Sequence, residues 1–416
     1  MTEGGMHPLK FGLTTALLVA VIVCSRTSVP YISKLSPDYF PLGLFSAVIV
    51  LAMIRRSWGD LVWVFGLTVA LALIDHRFIS TDRIRMSALS LLGMAGFFVL
   101  GARAIWAKGK DRELLLLGFA PLIPFMATEC SAGAVLDLVE RWHPKTFDMF
   151  LASFDSSLHV QVSFLAGQLF GRCQWLGYLC LGFYIALPLP LVLIYAAQLR
   201  RSRSKAMTAL LAFLIAGPLG ILFYNILPAC GPVYLFSFPY HPPTLAHAMH
   251  EKVFPMMLDG ARNAIPSLHM TWLLLLWWNS RGLPRWIRAI VPAFFLFTIL
   301  AMLGTGEHYL VDLVVAFPFA LMIQALCSFG LPFREGERRR AFLFGIFTTL
   351  TWLALLSFEI RWFWISPIIP WAMVVVTVAH TIFLSYRLSE KSAESESMPR
   401  TTSGVDGLPA WSIQAG

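Results

Sequence analysis

Residues 308–328 read HYLVDLVVAFPFALMIQALCS. The run holds one acid, Asp312, and no lysine or arginine. At ~1.5 Å per residue it is long enough to cross a hydrocarbon core of ~30 Å. Its apolar residues do not alternate as those of a barrel strand must. A helix is therefore the backbone that satisfies its own N–H and C=O groups in lipid. Working outward, similar runs lie at 9–24, 39–54, 60–75, 86–106, 113–135, 174–198, 206–227, 264–280, 287–303, 341–357 and 364–386. Together they predict an all-α, polytopic membrane protein with about 12 transmembrane helices. The first three runs are short for a bilayer, so a re-entrant segment among them would lower the count to eleven or ten. Composition agrees. Of 416 residues 57% are hydrophobic and 13% charged, with a mean hydropathy of +0.70, against about 25% charged in a soluble domain. Lys10 followed by an apolar run to Cys24 lacks an A-x-A cleavage site and reads as an uncleaved first span.

The net charge of +9 sits in short basic clusters beside the apolar runs, which points to membrane orientation and away from nucleic acid. Arg55-Arg56, Lys108/Lys110/Arg112, Arg200 to Lys205, Arg281/Arg285/Arg288, Arg334 with Arg338 to Arg340, and Arg387/Lys391 all fall in alternate connections. Both termini are thereby predicted cytoplasmic. The opposite side receives the long connections 136–173 and 228–263 and the turn Gly304-Thr305-Gly306-Glu307. Within the first, 148–170 mixes polar and apolar residues as a helix lying in the interface does. From Ser389 the tail is Ser/Glu/Thr/Gly-rich and predicted to be disordered. The six cysteines show no CxxC spacing, which indicates neither zinc nor a redox motif. Cys130 and Cys230 both fall toward the outer face, where an oxidising side would let them pair.

Chemistry concentrates in two histidines at outer span ends. Ala264-Ile265-Pro266-Ser267-Leu268-His269 reads as a helix start with proline at the first helical position, whose free N–H groups favour an anion. In Gly306-Glu307-His308-Tyr309-Leu310-Val311-Asp312 the second histidine and the acid are four apart, on one helix face. Asp312 can bond the His308 ring, fix its tautomer and leave the other nitrogen nucleophilic. An ionised acid in a span costs at least ~2.5 kcal/mol unless it faces a polar cavity and a partner, and His308 is that partner. Both spans run inward from the outer face, so the imidazoles and two helix N-termini converge. Glu129 is an intramembrane carboxylate that either functions or snorkels outward. His241, His247 and His250 crowd the outer loop without an acidic or thiolate ligand in fixed spacing, so no metal site is predicted.

Pro266-Ser267-Leu268-His269 and His308-x3-Asp312 resemble motifs of the phosphatidic acid phosphatase type 2 superfamily. Gly306-Glu307-His308-Tyr309 with Tyr224 and Cys230-Gly231-Pro232-Val233-Tyr234 looks more like its inositol phosphorylceramide synthase branch. The resemblance covers 113–328 and implies a six-helix catalytic membrane domain there. Spans in 1–112 and 329–388 flank it, and 389–416 forms a cytoplasmic tail. It also implies a phosphohistidine mechanism without metal or cofactor: His308 as nucleophile, His269 as acid and then base, Asp312 stabilising the imidazolium. The superfamily's Lys-x6-Arg-Pro element is missing, and Ala301-Met302 stands where a Ser-Arg pair would precede the second histidine. Arg262, Lys252 and the helix amides near Ser267 are the available substitutes. Asn263, Tyr224 and Tyr234, the last from the Gly231-Pro232 loop, are neutral donors for a headgroup. These departures favour transfer from a lipid phosphate or phosphodiester to a lipid alcohol over simple phosphatase action. A secondary transporter with an anion site, or a non-catalytic lipid-binding scaffold, is the reading from other classes.

Sidedness is directly testable. Thr305→Cys should react with an impermeant thiol reagent added to intact cells, and Ser204→Cys should not. The reverse labelling would place the histidines in the cytoplasm.

Overall fold

The computed structural model describes residues 40–55, 57–79, 87–236, 253–358 and 360–397. Its helices, in chain order, are α1 (Phe40–Arg55), α2 (Trp58–Ile74, continued by a π-turn at Asp75–Ile79), α3 (Ala88–Trp106), α4 (Gly109–Leu117) and α5 (Leu122–Trp142). Then come α6 (Asp148–Ser157), α7 (Val162–Arg172), α8 (Gln174–Ile185), α9 (Pro188–Leu199), α10 (Arg203–Ile226) and the short α11 (Pro232–Phe236). The chain continues through α12 (Leu268–Asn279), α13 (Arg285–Gly304), α14 (Leu310–Cys327), α15 (Gly336–Phe358), a 3-10 turn at Ile360–Trp364 and α16 (Ile368–Ser397). Strand pairing among the described residues is one antiparallel contact, Lys145–Thr146 (β1) with Met256–Met257 (β2).

Seven of these helices are long and apolar enough to cross a membrane, or eight if the bent pair α8 and α9 is one span. The fold is thus an all-α multi-pass membrane protein, and among the described residues several of the apolar runs are interrupted. The reasons are local. The run 113–135 is broken at 118–121, where Pro121 becomes the N-cap of α5. The run 174–198 bends by 43° ahead of Pro188, a residue that starts a helix readily and has no N–H to bond to the preceding turn. The run 264–280 is helical only from Leu268. Among the described residues within 113–328, α10, α13 and α14 qualify singly and the bent pair makes a fourth. The run 9–24 lies outside the described residues.

Helices α10, α12 and α14 pack on one another, with α9 beside α10, α13 beside α8, and α15 and α16 covering α14. The basic clusters meet at one end of this bundle. Arg200 donates to the Met53 carbonyl, Arg203 pairs with Glu113, and Arg201 donates to Gly282. Arg281 reaches Ser389 at 2.8 Å, and Arg387 pairs with Glu337 at 3.2 Å. Nearby, Asp60 is buried between Arg55 at 3.1 Å and Arg103 at 2.6 Å. Because α10 starts at Arg203 and α14 ends by Arg338, their opposite ends carry Tyr224 and His308.

Two expectations fail in instructive ways. The segment 148–170 is two helices, and α6 does not lie on the surface: Leu151, Phe154 and Asp155 are buried against α14, α15 and the 3-10 turn. Phe154 meets Trp352 at 5.3 Å and Phe363 at 4.7 Å, Ser153 accepts from Trp364 at 3.0 Å, and the Leu158 carbonyl accepts from Trp371 at 3.1 Å. Only α7 is two-faced, with Leu165 and Leu169 exposed and Ala166 and Phe170 buried. The tail is helical to Ser397 instead of unfolding at Ser389, because Arg281 ties Ser385 and Ser389 to the neighbouring helix end.

In α15, a Cβ at Gly345 would sit 2.7 Å from the Pro318 carbonyl oxygen and from the Met322 nitrogen of α14. Small residues let membrane helices approach this closely. Gly345→Val should therefore destabilise by at least ~1–3 kcal/mol, lowering the thermal midpoint in detergent. Gly336→Ala, whose Cβ would meet nothing within 4 Å, should not lower it.

Candidate active site

Ser267 is the N-cap of α12: its hydroxyl accepts from the Met270 N–H at 3.3 Å. Pro266 precedes the cap, so it stands outside the helix and not at its first position as read from sequence. Tyr309 is the N-cap of α14, and Asp312 Oδ2 accepts from its N–H at 2.8 Å. These two helix starts meet. The Ser267 N–H donates to the Asp312 carbonyl at 3.2 Å, and Ser267 Oγ lies 3.2 Å from His308 Nε2.

His308 sits in the turn ahead of α14 and is buried. Its Nδ1 is 3.0 Å from the Ala264 carbonyl oxygen and 3.5 Å from Asp312 Oδ2. A carbonyl only accepts, so Nδ1 carries the proton and the Nε2 lone pair faces Ser267 Oγ. The sequence reading gave the orienting role to Asp312. The Ala264 carbonyl is the nearer acceptor, and the Asp312 oxygen closest to the ring is already engaged by the Tyr309 N–H. Asp312 Oδ1 is buried without a hydrogen-bond partner among the described residues. Burial pushes the His308 imidazole down to about 4, against the upward pull of Glu307 and the Ala264 bond.

His269, in the first turn of α12, stacks on Tyr184 with ring centres 3.7 Å apart and meets Trp272 edge-on at 5.3 Å. Its Nε2 and the Trp272 Nε1 are buried and have no hydrogen-bond partner among the described residues. Met302 is buried: its carbonyl accepts from the His308 N–H at 3.2 Å, and its sulfur lies 3.3 Å from Ser267 Oγ.

Of the residues expected to bind substrate, Ser267, Gly231 and Tyr224 reach the histidine cluster. Gly231 has φ +128°, and a Cβ there would lie 2.5 Å from the Glu307 carbonyl oxygen, so only glycine fits. Tyr224 is buried with its hydroxyl 3.5 Å from the Pro266 carbonyl. Tyr234 packs its ring over Gly260, and Asn263 is half-buried beside Ala264. Arg262 has a different employment from the one expected. It is 2% exposed, and its guanidinium donates to the carbonyls of His143 at 3.1 Å, Pro144 at 3.3 Å and Gly260, and to Glu140 at 3.3 Å. It staples the end of α5 to the 260–264 segment. Cys230 is a free thiol, 3.5 Å from both Arg262 and the Gly260 carbonyl. Lys252, His241, His247 and His250 lie outside the described residues, as do the side chains of Glu129 and Cys130. Among the described residues no three His, Cys, Asp or Glu side chains form a metal-holding group.

Two carboxylates that sequence reasoning passed over stand at the site. Asp148 accepts from the N–H groups of Cys230 at 3.0 Å and Gly231 at 2.7 Å, and from the Tyr309 hydroxyl at 3.1 Å. Asp155 accepts from the Leu310 N–H at 2.7 Å and the Val311 N–H at 3.1 Å. Burial raises both carboxyls and the N–H donors pull them back. Their seven-residue spacing, two turns on one helix face amid apolar residues, was the available signal.

Residues 149–326 match the family model described as the PAP2 superfamily. The matched stretch takes in His269, His308 and Asp312, and it supports the superfamily resemblance for this part of the chain. No curated protein and no solved structure matches.

A neutral, buried His308 has a titration signature. Its imidazole should titrate near pH 4 in histidine-labelled protein followed by 15N NMR, against ~6.5 for a free ring. Because the folded value lies below the unfolded one, its contribution to stability is complete above pH 6.5 and is lost as pH falls toward 4.

Proposed function

We propose that the protein is a membrane-embedded phosphotransferase that moves a phosphoryl or phosphoryl-headgroup between lipids at the extracytoplasmic face, similar to the inositol phosphorylceramide synthase branch of the PAP2 superfamily. The observation that carries this reading is the His308 ring. Its Nδ1 is anchored on the Ala264 carbonyl and its Nε2 lone pair points at the helix start that bears His269. In the first step Nε2 attacks phosphorus, forming a P–N bond as the P–O bond to the departing lipid breaks, and His269 gives a proton to the leaving oxygen. The Ala264 carbonyl and the nearby Asp312 stabilise the cationic ring. In the second step an acceptor hydroxyl attacks phosphorus, the P–N bond breaks, and His269 takes the hydroxyl proton.

Transfer is favoured over hydrolysis by what holds the phosphate. Met302 is neutral and Arg262 is committed to protein carbonyls. A monoester dianion demands dedicated cations, whereas a diester carries one charge that helix amides and neutral donors can hold. Tyr224, Tyr234 and Asn263 are such donors, with Lys252 the cation available from the outer loop. An acceptor lipid entering from the bilayer outcompetes water through its effective concentration. The segment 113–328 is the catalytic unit in this reading, flanked by spans in 1–112 and 329–388. The basic clusters gathered at the other end of the bundle support cytoplasmic termini.

Purified protein in lipid nanodiscs, given labelled phosphatidate or a labelled phosphoinositol lipid with and without an added lipid alcohol, tests the reading by mass spectrometry of the products. Transfer product should exceed hydrolysis when alcohol is present, and His308→Ala should reduce turnover to below a few per cent while the protein still folds. Efficient dephosphorylation of phosphatidate with no transfer product would make it a phosphatase. Activity retained in His308→Ala would exclude the covalent route.

A further inference from the structure

His308 belongs to no helix, so its aim depends on what grips the turn around it. Ser267, Ala264 and Met302 hold the ring side and the N–H. The other side is held from α6 and α7. Ser163 Oγ donates to the His308 carbonyl at 3.2 Å, the Tyr309 hydroxyl donates to Asp148 at 3.1 Å, and Asp155 takes the next two N–H groups, of Leu310 and Val311, at 2.7 and 3.1 Å. Asp148 also holds Cys230 and Gly231, the loop whose glycine abuts the Glu307 carbonyl. Residues 307–311 are thus gripped on both faces, and among the described residues the polar side chains that hold the second face come from 148–163.

We propose that Asp155, with Asp148 and Ser163, is a positioning residue for His308: the α6–α7 segment sets the direction of the Nε2 lone pair by clamping the backbone on either side of the histidine. The acids themselves do not serve as proton carriers. The two Asp155 oxygens each accept a backbone N–H, and Asp148 is engaged by three donors. An amide in place of Asp155 would turn an NH2 group toward one of those N–H groups, leaving a buried donor without an acceptor and shifting the turn. A displacement of ~1 Å at a reacting nitrogen costs on the order of 10²-fold in rate. The kinetic consequence rests on the phosphohistidine reading. The orientation of the ring does not.

The test pairs two readouts on Asp155→Asn, Ser163→Ala and Ser87→Ala in detergent-solubilised full-length protein. Ser87→Ala removes a comparable N-cap bond, from the Ser90 N–H at 3.1 Å, at the start of α3. In 15N-histidine NMR at pH 7 the wild type and Ser87→Ala should show His308 as one tautomer, protonated at Nδ1. Asp155→Asn should show mixed tautomers, and Ser163→Ala a smaller shift in the same direction. With a turned-over substrate, Asp155→Asn should lower kcat about 10- to 100-fold with KM changed less than about twofold, and Ser163→Ala should lower kcat by less. A wild-type His308 signal in both Asp155→Asn and Ser163→Ala would overturn the proposal, as would kcat losses matched by Ser87→Ala. Should Asp155→Asn fail to fold, Ser163→Ala decides it alone. Should the wild type turn over no lipid phosphate, the functional reading falls and the NMR comparison still decides this one.

Discussion

A helix buried in protein at membrane depth must have the orphan N–H and C=O groups at its two ends satisfied by other parts of the chain. In this protein that constraint is sharpest at α14, where 78% of the apolar window is buried. Its C-terminal end is closed by Arg338, whose guanidinium donates to the Ala325 and Leu326 carbonyls, each at 2.8 Å, and to Leu331. Its N-terminal end is closed by Asp155 and by Asp312. A guanidinium thus stands at the C-terminal end and carboxyl groups at the N-terminal end, the placement the helix dipole favours. The solution leaves a dense set of N–H groups, a carboxylate and an imidazole within one turn of sequence. Catalytic geometry of the kind argued for His308 is a by-product of capping a buried helix.

Capping also explains why the expected cation is missing. Arg262 is four residues before Pro266-Ser267, close enough in sequence to serve a phosphate. Yet the segment 260–264 has no secondary structure to satisfy its neighbours, and the end of α5 leaves the carbonyls of His143 and Pro144 unpaired by helix. One planar guanidinium with five donors closes both, and Glu140 offsets its charge. Freeing Arg262 for a ligand would strand several buried carbonyls, each costing ~1–3 kcal/mol. Among the described residues, the Ser267 and Tyr224 hydroxyls are the neutral groups at the histidine cluster.

Hydropathy made the membrane class and most helices legible, since an apolar run without charge has one stable backbone in lipid. Breaks inside the runs were less legible. The bend before Pro188 and the interruption at 118–121 depend on packing as well as on proline. At the site, Ser267, His269, His308 and Asp312 could be read because their spacing on helix starts carries chemical meaning. The Ala264 carbonyl could not, because every residue has one. Asp155 and Asp148 carry the right spacing, but 148–170 reads as an interfacial helix unless one knows that Trp352 and Phe363 are waiting to cover Phe154.

That aromatic cover bears on the parts of the chain outside the matched stretch. Trp352, Phe363, Trp364 and Trp371 lie beyond residue 326, yet the first three touch α6 through Phe154 and Ser153, and Trp371 donates to the Leu158 carbonyl just past its end. A ten-residue helix carrying two acids cannot hold a buried position by itself, since desolvating the acids opposes its insertion. The hydrogen bonds from α14 offset part of that cost, and the apolar and aromatic contacts from α15, the 3-10 turn and α16 act on its other face. The C-terminal helices therefore belong energetically to the site. They hold in place the helix that holds the turn bearing His308.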